Sequence, residues 1–164
     1  MPDVNIFLNI VVARNIPEYQ RLVVFRLGGI PKKPKGPGLV YLIPSLDRVV
    51  TVDLREQNRE ISNDTATTKD NIPISIDWRC YYKVLDPVKA IVAVPNFEEM
   101  TMGVASTRLR KIIQEIDNKD MPSERERIRN EINTGIYELT KRWGVIITKF
   151  EILKLVVGDQ KANV

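Results

Sequence analysis

The side chains that carry most enzyme chemistry are scarce in this sequence. Its 164 residues include no histidine and a single cysteine, Cys80. That removes histidine-based acid–base and nucleophilic catalysis, zinc sites built from Cys and His, haem ligation through His, and any intramolecular disulfide. Carboxylates remain. Asp47 and Asp53 share the polar face of a predicted strand and could act as an acid–base pair, although solvated strand carboxylates show the same spacing. Asp117, Asp120 and Glu124 fall near one helix junction, where three carboxylates could hold a hard cation. Their spacing matches no calcium loop, and helix-end charge explains them better. Cys80 sits on the apolar side of a strand, as a small buried hydrophobe does, and nothing near it in sequence would activate a thiol. Gly36-Pro37-Gly38 superficially suggests a phosphate loop, but Pro37 lacks an amide donor and no helix start follows. No dinucleotide-binding or Walker signature is present. No catalytic residue, metal ligand or cofactor is therefore assigned.

The charge pattern is more informative. Lys and Arg number 25 and Asp and Glu 21, a net charge of +4. This permits an anionic partner, but no dense basic stripe with interleaved aromatics is present, so nucleic acid is not expected. The cations concentrate in one place. Lys32, Lys33 and Lys35 lie in a loop stiffened by Pro31, Pro34 and Pro37, and Arg21 and Arg26 come from the strand that leads to it. Such a loop is either a solvated connection or a contact for anionic lipid headgroups, where each lysine contributes about 1 kcal/mol. The apolar run Val4 to Ala13, with Ile6, Phe7 and Leu8, is too short for the roughly 20 residues of a membrane span. Asp3 stands where a secretory signal would be basic. The run is either an element packed on the core or an interfacial segment; in the second case it and the basic loop face one membrane surface. The residues from Gly158 to Val164 are expected to form a flexible tail.

The elements that position these residues follow from periodicity. Residues 17–27 read as a strand with Tyr19, Val23, Phe25 and Leu27 on one face, ended by Gly28-Gly29. Leu39–Ile43 is a short strand, and Leu46–Leu54 another with Leu46, Val50, Val52 and Leu54 inward. Residues 58–70 are polar and read as a strand end and turn, with Asp70-Asn71 at a hairpin apex. The strongest signal is the alternation of Ile72, Ile74, Ile76, Trp78, Cys80, Tyr82 and Val84 with polar neighbours, a long strand with one buried face. Pro73 suggests that it lies at an edge. Asp86 caps a short helix with Pro87 at its first position. Asn96 caps a second, whose apolar stripe is Phe97, Met100, Val104, Ala105, Leu109, Ile112, Ile113 and Ile116. Ser123 and Glu126 form a capping box for a third, with Ile128, Ile132, Ile136, Leu139 and Trp143 inward and Gly144 ending it. Trp78 and Trp143 are both expected in the core. Val145–Val157 is a final strand whose phase shifts near Thr148. Strands, then helices, then one strand predict an α+β fold: an antiparallel sheet from the N-terminal half, packed helices and a C-terminal strand. The length suggests one core.

Several ordered blocks resemble a known family. Ile16-Pro17-Glu18-Tyr19-Gln20-Arg21, Val24-Phe25-Arg26-Leu27-Gly28, Lys35-Gly36-Pro37-Gly38-Leu39, Ile43-Pro44 and Val52-Asp53-Leu54-Arg55 resemble the opening of the stomatin/prohibitin/flotillin (SPFH, or Band 7) domain. Thr68-Lys69-Asp70, Tyr81-Tyr82-Lys83-Val84, Thr107-Arg108-Leu109-Arg110, Ser123-Glu124-Arg125-Glu126, Trp143-Gly144-Val145 and Glu151-Ile152 extend the resemblance to residues 16–155. It points to the stomatin-like branch, or slipins, with an SPFH domain at 17–157 after an N-terminal, membrane-proximal segment 1–16. The resemblance implies a non-enzymatic membrane scaffold on the cytoplasmic face. Such a scaffold forms homo-oligomers, dimers or larger, binds lipids, and organises channels, transporters or membrane proteases. A partner membrane protease or a nodulation-efficiency-type protein is implied for prokaryotic slipins. The family's usual hydrophobic hairpin and long coiled-coil helix are not in this sequence. A soluble protein-interaction module, using the exposed face of the Ile72–Val84 strand as an edge, is the alternative.

Overall fold

The computed structural model describes residues 11–157. They form two compact units, the first ending at Leu54 and the second beginning at Arg55, where the chain length had suggested one core. The strand pairing accounts for the division, because every ladder joins strands of one unit.

The first unit consists of two antiparallel ribbons. Strand β1 (Val12–Ile16) pairs with β3 (Gly38–Leu42), and β2 (Gln20–Arg26) pairs with β4 (Asp47–Asp53). Ile16, Val40 and Leu42 of one ribbon and Leu22 and Val24 of the other make a buried cluster, with Val49 against it. The expected face of β2 is wrong. Leu22, Val23 and Val24 are buried in succession, whereas Tyr19 and Leu27 are exposed. A run of consecutive aliphatics is the mark of a strand covered on both faces. Asp47, expected on a solvated face, is also buried, because register places it beside Arg26 and on the same side as Val49. Gly36, at φ +95°, lies against Ile16, where an added Cβ would come within 3.0 Å of a methyl carbon.

The second unit is an antiparallel sheet in the order β5 (Gln57–Thr67), β6 (Pro73–Val84), β7 (Val145–Val157), packed with helices α1 (Pro87–Val92), α2 (Phe97–Ile113) and α3 (Met121–Thr140). The α+β expectation holds. In β6 every second residue from Ile74 to Val84 is buried, as alternation requires, and Trp78 stacks on Phe150 with ring centroids 5.1 Å apart. Strand β6 is central, however, not an edge; Pro73 merely opens it, at the end of the β5 register. The polar residues 58–70 are mostly β5 itself. An edge strand with one solvated face needs little apolar alternation, and its bulge between Ile61 and Asp64 further interrupts the pattern. The hairpin apex is at Asp70-Asn71 as expected, with Asn71 at φ +61° and the Thr68 N–H donating to the Ile72 carbonyl at 3.0 Å.

Asp86 and Asn96 cap α1 and α2 through their side chains. Ser123 does not cap α3. The helix already begins at Met121, and the Ser123 hydroxyl donates to the Asp120 carbonyl at 2.7 Å. Ile128, Ile132 and Ile136 form the inner stripe of α3, while Leu139 is exposed. Trp78 is fully buried; Trp143 is half-buried and donates its indole N–H to Thr101 Oγ1 at 3.1 Å. On α2 the inner stripe is Thr101, Met102, Ala105, Leu109, Ile112 and Ile113, so Met100 and Val104 point elsewhere. Gly144 has φ +71°, and a Cβ there would meet the Asp86 carbonyl at 2.6 Å. The phase shift in β7 is an extra residue at Thr148, between the pairs Tyr82–Ile147 and Tyr81–Lys149.

Candidate functional site

One end of the first unit gathers several exposed apolar side chains. The turn after β2 has two successive residues at positive φ, Leu27 at +50° and Gly28 at +76°, closed by the Gly29 N–H donating to the Arg26 carbonyl at 2.9 Å. Positive φ at both central positions is the geometry of a primed hairpin turn. It pushes Leu27 outward, 78% exposed, and Ile30 follows at 68%. The turn from Ile43 to Asp47 lies beside it: the Leu27 N–H donates to the Leu46 carbonyl, and Gly28 shares a shallow cleft with Pro44, Ser45 and Leu46. Register brings in β1 as well, because Val12 pairs with Leu42 next to that turn. Val11 and Val12 are exposed there. The segment holding Ile6, Phe7 and Leu8 precedes them and lies outside the described residues.

The predicted basic residues divide. Lys32 and Lys33 are exposed and follow Ile30 after Pro31. Lys35 is half-buried, with its backbone N–H and carbonyl both bonded to Leu22 at 2.8 and 2.9 Å. Arg26 is at the tip but is already committed. Its Nε and terminal nitrogen donate to the two Asp47 oxygens at 2.7 and 2.9 Å. That fork, with the Ile43 N–H at 2.8 Å, holds the Asp47 carboxyl well below the usual carboxylate range. Arg21 is remote, at the far end of β2, where it donates to the carbonyls of Glu18 and Gln20. The site is thus Leu27, Ile30, Lys32 and Lys33, with Val11 and Val12. Sequence reasoning missed Leu27 and Ile30 by placing the first in a strand. The signal was present, since Gly28-Gly29 between them and Pro31 after them mark a turn, and turns run over the surface.

The other candidates do not assemble. Asp47 and Asp53 lie six residues apart on β4, about 20 Å, and the first is neutralised by Arg26. Asp117 instead meets Asp70: their hydrogen bond raises the Asp117 carboxyl and lowers that of Asp70, which also accepts the Asn118 N–H at 3.0 Å. Among the described residues no three His, Cys, Asp or Glu side chains are placed to hold a metal. Cys80 is buried, and burial pushes its thiol up to about 12, where it is an inert hydrophobe at neutral pH. The second unit does contain a polar node that the sequence concealed. Buried Asp64 accepts the Trp78 indole N–H at 2.9 Å, the Ser106 hydroxyl at 2.6 Å and the Arg110 Nε at 3.0 Å. Burial alone would raise its carboxyl, but the bonds from Ser106, Arg110 and Trp78 outweigh that, and the net shift is downward. It joins β5, β6 and α2, with the Asp64 carboxylate itself buried.

Residues 14–163 match the SPFH domain / Band 7 family. The chain belongs to that family. A stomatin homolog of Pyrococcus horikoshii is 37% identical over 149 residues, covering 90% of this chain and 56% of the relative. Stomatin-1 of Caenorhabditis elegans is 33% identical over 91% of this chain and 44% of its own length, and mouse stomatin 33% over 90% and 53%. The chain spans about half the length of the curated relatives it matches. Among the described residues of this SPFH chain, no helix is long and apolar enough to cross a membrane.

Proposed function

We propose that this SPFH chain is a non-catalytic, membrane-associated scaffold that self-associates and organises lipids and membrane proteins at the cytoplasmic face. The observation that carries the membrane part is the end of the first unit. Two aliphatic side chains, Leu27 and Ile30, are largely exposed beside Lys32 and Lys33, at the end where the N-terminal apolar run joins β1. Exposed aliphatics next to lysines suit an interface where the first enter the acyl boundary and the second meet anionic headgroups. The run holding Ile6, Phe7 and Leu8 would extend the same contact. The partner protein, whether channel, transporter or membrane protease, would then be recruited by surfaces away from that end.

The alternative soluble module loses its stated attachment point. Strand β6 is paired on both sides, so it offers no free edge. Flotation with vesicles containing phosphatidylserine, at low and high salt, tests the membrane reading. The chain is expected to float at low salt and less at high salt. Lys32→Glu/Lys33→Glu is expected to abolish the salt-sensitive part. No flotation at low salt, or a variant that behaves like the parent chain, overturns the reading.

A further inference from the structure

Helix α2 has a second apolar face. Met100, Gly103, Val104 and Thr107 fall at i, i+3, i+4 and i+7, opposite the residues it buries against its own unit. With Pro95 and Leu139 they line an open groove of about 710 Å³. Its charges sit only at the ends and differ in sign: Glu99 at one end, Arg108 and Lys111 at the other. Glu99 and Lys111 are exposed, and neither side chain forms an ion pair among the described residues. Arg108 is held in place, folded over Gly135 of α3, where an added Cβ would come within 2.7 Å of its Nε. That Nε is buried with no hydrogen-bond partner. At the centre, a Cβ added to Gly103 would meet nothing within 4 Å, so another backbone can approach closely.

We propose that this face docks a second copy of the chain, α2 against α2, antiparallel about a two-fold axis near residue 105. The argument is charge complementarity. A parallel copy would set Glu99 against Glu99 and Lys111 against Lys111. An antiparallel copy sets Glu99 of each chain against Lys111 of the other, about 18 Å apart along the helix. The same arrangement brings Gly103 opposite Thr107 at the crossing, the two smallest side chains of the face, and covers Met100, Val104 and Leu139. Such an interface is isologous, so one favourable pair is made twice. The inference rests on the self-association in the proposed function and is independent of its membrane part.

The test uses the chain without lipid. Sedimentation equilibrium gives the association constant of the parent chain, Glu99→Lys, Lys111→Glu and the double variant. Each single change places like charges together twice and is expected to weaken association by roughly tenfold or more; the double change is expected to restore it. Neither residue is buried, so each variant is expected to keep its fold, which circular dichroism checks. Mixing Gly103→Cys chains with Thr107→Cys chains is expected to give a disulfide-linked heterodimer in excess over either chain alone, since Cys80 is buried. A parent chain that is monomeric at millimolar concentration overturns the proposal, as it would if the groove held a lipid or a foreign helix. Association that ignores the charge changes also overturns it, while leaving self-association through another surface, and the proposed function, standing.

Discussion

The node at Asp64 in the second unit and the turn at Leu27 in the first treat misplaced side chains in opposite ways. In the second unit, a carboxylate that belongs in water is buried, and Asp64 is met by Trp78, Ser106 and Arg110. In the first, leucine and isoleucine that belong in a core are left outside at Leu27 and Ile30. A buried polar group that is fully bonded is structural. An exposed aliphatic pair adds little to the fold, so its use must be sought in a contact. The comparison separates residues that hold the molecule together from residues that it presents.

The sharpest way to break the comparison is at Asp64. Asp64→Ala leaves the Trp78 indole N–H buried and unbonded and frees Arg110, so it is expected to cost about 3 kcal/mol. Urea unfolding followed by tryptophan fluorescence measures this. Vesicle flotation is expected to be unchanged wherever the variant is still folded. The mirror experiment is Leu27→Ser/Ile30→Ser. Little burial is lost, so stability is expected to shift by less than about 0.5 kcal/mol. Flotation is expected to fall by roughly tenfold or more, since each aliphatic is worth about 1.5–3 kcal/mol in an apolar phase. A large loss of stability here would show that these residues are core after all.

Acid sharpens the same division. The folded carboxyls of Asp64 and Asp47 both lie below their ordinary values. Each therefore contributes stability that is present above the unfolded value, about 3.9, and is lost as the pH falls through the lower folded value. Unfolding midpoints are expected to drop progressively as the pH falls below about 4. In Asp64→Asn the part of that drop due to the second unit is expected to shrink, while the part due to Asp47 and Arg26 remains. A chain as stable at pH 2 as at pH 6 would remove the structural role given to both carboxylates.

Much of the second unit could be read from sequence because its rules are local. The alternation from Ile74 to Val84 specifies its buried face, Asn96 and Asp86 cap as their types demand, and Thr148 marks the bulge by breaking phase. What failed was whatever depended on the other side of an element. Pro73 says nothing about how many neighbours β6 has. The polar residues of β5 hid a strand because its pairing lies in β6, not in its own pattern. On α2, Met100 and Val104 satisfy the helical period as well as the residues actually buried, and period alone cannot choose between two apolar faces. For the basic site, the charges were visible but their partners were not. Asp47 removes Arg26, and position along β2 removes Arg21, while Lys32 and Lys33 remain.

The smallest effect is the most diagnostic. Leu27 has φ +50°, a conformation that costs an L-residue about 1–2 kcal/mol and glycine almost nothing. Leu27→Gly relieves that strain, but glycine's freer unfolded chain returns about 0.5–1 kcal/mol. The net expectation is a gain of about 0.5 kcal/mol, read as a small rise in urea midpoint, together with weaker flotation. Ile30→Gly relieves no positive φ and is expected to lose stability slightly while weakening flotation as much. Opposite signs in stability with the same sign in flotation would mean that leucine at 27 strains the fold while serving the surface, which is where such strain tends to gather. A Leu27→Gly chain that is clearly less stable would instead give Leu27 a packing role and collapse the distinction between the Leu27 turn and the Asp64 node.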